Sequence, residues 1–401
     1  MNQKRLFLIG IPEHHIKKAI ERAKTVGFYV IIGDTEDSLN THQHLLNNAD
    51  EQVAVDFTNY NQLYNLCNDL YQKKHIDSIF TFKENALYNV SKIQQQFKMK
   101  GNSPNVVSTC LDKYKTRQLL KDAHFDSPSF KLCKNIQEVR DFWDNSKHPI
   151  ILKPRSLQGS IGVIKVNSKE EIEDAFNQCA TFNERHDSIL IEEFIDGKEI
   201  SIEGVVHKGE VQIFGITEKF LFPGTFIESG HLSPYDCDNM LFYKKIIQKV
   251  IKVLGIQLGP FHIEAYCKED KLIIGEVHTR YGGDNIVTIT ELAIGCDMHT
   301  PIFSELAQSK HKIQLHSPDK ICGVFFLNPN PGVVQSIDIN QHLHSLVNLV
   351  DYHIDCKVGD TIKTMTNSYD RVGWLILKGK NRMELKKAFK QATKTIKIIT
   401  S

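Results

Sequence analysis

Between Pro149 and about Asn328 the chain is crowded with strand-like runs: HPIILKP, SIGVIKV, SILIEEFI, EISIEGVV, EVQIFGI, FHIEAYC and KLIIGEVH. Turn residues join several of them, as His207-Lys208-Gly209-Glu210 does between two alternating runs, and this predicts an α+β unit with antiparallel sheet. The first hundred residues read differently. Leu6 to Ile9, Phe28 to Ile32, Gln52 to Asp56 and Ile76 to Thr81 read as strands, and Ile16 to Val26 has helical spacing. That alternation predicts βαβ units and a parallel sheet. Gly10 follows the first strand, but GIPEHH lacks G-x-G-x-x-G, so a structural domain is expected there and not a dinucleotide site. Asn102-Ser103-Pro104-Asn105 reads as a loop, with a helix beginning near Leu111-Asp112-Lys113. The last segment opens with GVFFLNPNPGVV and closes with a basic helix, RMELKKAFKQATKTIK, whose lysines read as a solvated face.

Composition removes several classes of function. With 49 Lys plus Arg against 48 Asp plus Glu, the formal charge of +1 argues against a dedicated nucleic-acid binder. No apolar run approaches the roughly 20 residues needed to span a bilayer, and the opening MNQKRLFLIGIPEHH does not read as a secretory signal. The 9 cysteines are scattered without a C-x-x-C pair, as expected of reduced thiols in a cytoplasmic protein.

Three clusters carry chemistry. In IILKPRSLQGSIGVIKV a strand ends in Lys153, and a loop with Gly159 and Gly162 leads into a second strand. Flexible backbone beside a lysine suits a flap laid over phosphate oxygens; a plain glycine hairpin with an edge lysine fits equally. In ILIEEFIDGKEISIEG two carboxylates end an apolar strand, Asp196-Gly197 turns, and Glu199 opens the next strand. An aromatic base against the strand and a ribose on Glu199 would suit this segment, as would an ordinary hairpin with exposed acids. In the third cluster Glu264 and Glu276 lie on FHIEAY and LIIGEV around the turn KEDK, which predicts neighbouring antiparallel strands. Paired hard carboxylate oxygens beside phosphates are what magnesium prefers. Arg280 and Gly282-Gly283-Asp284-Asn285 follow, a cation on a glycine-bearing turn suited to an anionic transition state. A structural ion-pair network would explain the acids but not the glycines.

Taken in this order, the clusters resemble the ATP-grasp superfamily, and within it the L-amino-acid ligases that make dipeptides. The resemblance covers most of the chain. It implies an α/β and α+β multidomain protein: a parallel α/β domain over 1–108, a central lid domain over 109–200, an antiparallel-sheet catalytic subdomain over 201–320 and an extra C-terminal subdomain over 321–401. It also implies roles. Lys113 and Lys153 would contact ATP phosphates, with Lys219 as a further contact, and Gly159, Ser160 and Gly162 would form the flap. The stretch Glu192, Glu193, Phe194 and Ile195 would take the adenine, and Glu199 the ribose. Glu264 and Glu276 would hold two magnesium ions, with manganese as the alternative metal. Many relatives carry Asn where this chain has His278, and imidazole is a poor magnesium ligand, so no metal role passes to it.

In FIESGHLSP, the resemblance gives Glu228 to the α-ammonium of the first amino acid and His231 to the wall of its site. Arg280 would bind the carboxylate and stabilise the oxyanion. An ordinary loop acid and a turn histidine are the plain alternatives for Glu228 and His231. Asp284, four residues after Arg280, would be costly if unpaired. That leads to the expectation of a basic first amino acid, arginine or lysine, reaching Asp284; its competitor is a helix cap near Asn285. Small-molecule substrates are the expected partners, with no nucleic acid and no membrane, and a homodimer stays open. The rival readings are another ATP-grasp carboxylate–amine or thiol ligase, a carboxylase, or a non-catalytic ATP-binding module.

Overall fold

The computed structural model describes residues 3–183, 187–235, 239–310 and 318–401. Cys237 lies outside them; the other eight cysteines are free thiols. Among the described residues no helix is long and apolar enough to cross a membrane.

The N-terminal unit is the parallel sheet expected from its alternation. Its strands run Glu51–Ala54, Tyr29–Asp34, Arg5–Ile9, Ser78–Phe80 in hydrogen-bonded order. Helix Glu13–Thr25 buries Ile16, Ala19, Ile20 and Ala23, the one apolar face that its spacing provides. Gly10 adopts φ +51°, and an added Cβ would meet the Phe57 ring at 3.0 Å. A tight turn under an aromatic ring, and not a ligand, accounts for this glycine.

Residues 102–105 form less of a loop than expected. Ser103 caps a helix over Pro104–Cys110, accepting from Val106 N–H at 3.3 Å, and Asp112 caps the next, Lys113–Asp122. The lid is a four-stranded antiparallel sheet ordered Phe130–Cys133, Ile189–Glu193, Ile150–Lys153, Ile164–Val166, covered by helices Ile136–Asn145 and Ile172–Ala180.

The largest element is an eight-stranded sheet, ordered 271–278, 259–268, 198–207, 210–221, 228–233, 321–326, 373–379, 349–354. The hairpin between 198–207 and 210–221 turns on Lys208 and Gly209, at φ +52° and +75°, the left-handed pair that a two-residue turn requires. Helix Met240–Leu254 covers one face, burying Tyr243, Ile247, Val250, Ile251 and Leu254 against Ile200, Ile202, Ile263 and Ile274. Hydrogen bonding runs without a break through the divisions expected at 200 and 320. Lys198–His207 spans the first, and Gly230 pairs with Phe325 and Ser233 with Cys322 beyond the second. The C-terminal segment is therefore welded to the large sheet. Its helix, Arg382–Thr395, buries Leu385, Ala388 and Ala392 and turns its lysines outward.

Candidate active site

The site lies where the lid, the large sheet and the N-terminal unit meet. Lys153, at the end of its strand, places Nζ 2.7 Å from Glu192, whose other oxygen takes the Arg117 guanidinium at 2.7 Å. Burial would raise the Glu192 carboxyl, but Arg117 and Lys153 together hold it at about 2. Glu192 thus aims Lys153, and its side chain is already engaged by two protein cations. Because its folded pKa lies below the ordinary carboxylate value, its ionic contribution is full above pH ~4.5 and lost as pH falls toward ~2. The shift corresponds to about 3 kcal/mol. Urea midpoints of the native chain and Glu192→Gln should accordingly differ at pH 7 and converge only as pH approaches about 2; a constant difference would sink the ionic account.

Lys153 belongs to a cavity of mixed lining. Ile151, Val163, Phe194 and Ile195 supply apolar surface, and Lys113, Lys153, Lys219, Glu264 and Glu276 supply charge. Glu193 turns its carboxylate away to the backbone N–H groups of Ser129 and Lys147, at 3.2 and 2.9 Å. The loop expected as a flap lines this cavity through Gly159, Ser160 and Ile161. Gly159, Ser160 and Gly162 take φ of +66°, +59° and +70°, and Ser160 Oγ donates to Phe226 carbonyl at 2.8 Å.

Glu264 and Glu276 face each other directly in the antiparallel register, beside a bulge between Glu264 and Ala265. Burial opposes ionisation of both. Lys219 nevertheless holds Glu264, and Lys113 holds Glu276, well below the usual carboxylate range. Two ionised oxygen donors on adjacent strands fit a hard divalent cation such as magnesium. Lys219 Nζ sits 2.6 Å from Glu199, 3.3 Å from Glu264 and 3.5 Å from Glu228, and these acids outweigh burial to raise its pKa well above the ordinary value. His278 lies 3.3 Å from Glu276; burial lowers its pKa, so the ring is neutral at pH 7.

A second cavity of about 460 Å³ adjoins the first and shares Gln158, Gly159, Lys219, Glu228, Glu264 and Arg280 with it. Glu228 accepts from Ser368 Oγ at 2.6 Å. His231, paired in register with Lys219, places Nε2 3.1 Å from Asp284. Arg280 bonds the Glu84 carboxylate, donates to Tyr281 carbonyl at 2.8 Å and reaches Gln158 at 3.2 Å.

Comparison with known proteins identifies two domains. Residues 146–289 match the ATP-grasp domain, and residues 324–401 match the L-amino acid ligase C-terminal domain 2. The chain carries an ATP-grasp domain. An L-amino acid ligase from Bacillus licheniformis shares its fold, with a TM-score of 0.81, 20% identity and 100% of both chains covered. A phosphoribosylglycinamide synthetase from Anaerococcus prevotii does so with a TM-score of 0.76, 22% identity and 100% of both chains covered. An uncharacterized protein of Sinorhizobium fredii is 21% identical over 98% of this chain and 82% of its own length. The carbamoyl phosphate synthase large chain of Thermoanaerobacter sp. is 25% identical over 63% of this chain, and the match spans 24% of that protein.

Every site residue named from the sequence except Gly162 lines one of the two cavities; Gly162 packs beside Pro154 and Phe182. The structure corrects one inference. Asp284 has its cation within the chain: Arg371 reaches its two oxygens at 2.9 and 2.5 Å, so no basic substrate side chain is needed to neutralise it. Burial opposes ionisation, yet His231 and Arg371 hold Asp284 well below the carboxylate range. Nor does Asp284 cap a helix: Asn285 is the N-cap of Ile286–Ile294, with no side-chain bond. Sequence reasoning also missed residues that line the site. His262 bridges Glu203 at 2.6 Å and Glu264 at 3.4 Å; against burial, Glu203 raises its pKa to about 9, so it meets Glu264 as a cation. Arg371 and Ser368 come from a C-terminal turn that touches the flap, where Ser368 N–H donates to Gly159 carbonyl at 3.1 Å. The sequence FHIE offered a signal for His262, an alternation placing it on the Glu264 face of one strand.

Proposed function

We propose that this ATP-grasp ligase joins two unprotected L-amino acids into a dipeptide, releasing ADP and phosphate. The observation that carries the reading is the shared lining of the two cavities, which brings Lys219 and Glu264 together with Glu228 and Arg280. An anion and a guanidinium lining one cavity suit the ammonium and carboxylate of an amino-acid zwitterion.

The substrate carboxylate oxygen attacks the γ-phosphorus of ATP, the bond to the β-phosphate oxygen breaks, and ADP leaves an aminoacyl phosphate. Lys113, Lys153 and Lys219 neutralise the phosphates, and the left-handed flap excludes water that would hydrolyse the acyl phosphate. Magnesium held by Glu264 and Glu276 would supply charge neutralisation on the transferring group. The second amino acid, its ammonium having lost a proton to solvent, attacks the acyl carbon as the free amine; Arg280 stabilises the tetrahedral oxyanion, and phosphate leaves and takes up the proton released as the amide forms.

An all-against-all amino-acid screen for phosphate release, with mass spectrometry of products, tests this. Dipeptides formed with one ADP each are expected. ATP bound tightly with no phosphate released for any pair would make the chain a binding module instead.

A further inference from the structure

Resting on the ligase reading, the geometry points to Glu84 as the residue that holds the ammonium of the second, incoming amino acid. Peptide synthesis brings two ammonium groups into one enclosed space, and each needs an anion there. The larger cavity offers four carboxylates: Glu84, Glu228, Glu264 and Asp284. Glu264 faces Glu276 in the metal-binding pair. Asp284 is engaged by both Arg371 nitrogens and by His231. Glu228, fixed by Ser368, suits the first ammonium. Glu84 remains.

Its position supports the assignment independently. Glu84 opens helix Glu84–Gln96 and is the acid that the N-terminal unit contributes to this cavity. It bonds Arg280 and lies 3.6 Å from His278, with 18% of its side chain exposed. Arg280 has to turn to the substrate carboxylate and acyl phosphate when these bind. Glu84 is then a half-buried charge on the cavity wall without its guanidinium, and the incoming ammonium replaces it. The Glu84–Arg280 pair is the resting arrangement of two groups that receive opposite ends of the reaction.

Hydroxylamine separates this role from mere support of Arg280. It is uncharged at neutral pH and attacks the acyl phosphate directly, giving a hydroxamate and phosphate. In Glu84→Gln, hydroxamate formation from ATP and the first amino acid should stay within about threefold of the native rate. The KM of the second amino acid should rise about 10- to 100-fold, the worth of one charge-assisted hydrogen bond. Glu84→Asp should recover part of that loss. Parallel loss of hydroxamate and dipeptide would overturn the proposal by making Glu84 a support for Arg280, and so would an unchanged KM. No hydroxamate from the native chain with any amino acid would overturn the ligase reading itself, a different and recognisable failure.

Discussion

Glu276→Ala is expected to lower amino-acid-dependent phosphate release by about 10³-fold while the chain stays folded. The loss follows from charge. Glu276 and Glu264 are the ionised pair that faces across two strands, and a metal clamp on a transferring phosphoryl group is worth several kcal/mol, where about 1.4 kcal/mol is tenfold. Removing one carboxylate leaves a single acid to hold the cation. It also strips Lys113 of its ionic partner, 3.1 Å away, though the Lys113 contact with Leu157 carbonyl survives. The fold should tolerate the change because Glu276 lines a cavity and its strand is held by backbone pairing from His262–His278 to Lys268–Lys271. Circular dichroism and thermal melting should show a native-like transition. A folded variant within tenfold of native turnover would remove Glu276 from the metal assignment.

The sequence made this pair legible because strand, turn and strand lie within one local stretch, where the two-residue period of a strand fixes which side chains meet. The strand ending in Lys153 and the glycine loop before the next strand are legible for the same reason. The helix over Pro104–Cys110 had a local signal too, Ser103 followed by proline at the first helical position, and it was read as a loop. Glu84 and Arg371 had none. Glu84 meets Arg280 across 196 residues, and Arg371 meets Asp284 across 87. No periodicity within an element records which distant turn will close on it. Seen within its own segment, Asp284 looked like an acid in want of a cation, and the substrate was the one partner in view.

Arg371→Ala tests how far the C-terminal segment completes the site. The guanidinium holds Asp284 through two nitrogens, donates to Ser368 carbonyl at 2.6 Å and to Glu228 carbonyl at 3.3 Å, and lies 3.6 Å from the centre of the Phe326 ring. Breaking a buried ion pair costs about 3–5 kcal/mol; Asp284 keeps 22% exposure, and solvent brings the expected loss to roughly 2–3 kcal/mol. The loss should also depend on pH. Asp284 is depressed in the folded state, so its contribution is present above the unfolded carboxylate value and fades as pH falls through the folded one. Without Arg371 the folded value rises, and acid unfolding should begin at higher pH. Arg371→Met combined with Asp284→Asn should recover stability, because no unpaired charge remains, but should not recover the placement of Ser368 and Glu228. Dipeptide synthesis should stay impaired in that double variant, through a raised KM for the first amino acid. In the single variant the freed carboxylate faces the cavity, so cationic side chains should gain against leucine in kcat/KM. Native specificity and stability in Arg371→Ala would show that the C-terminal turn only rests against the site.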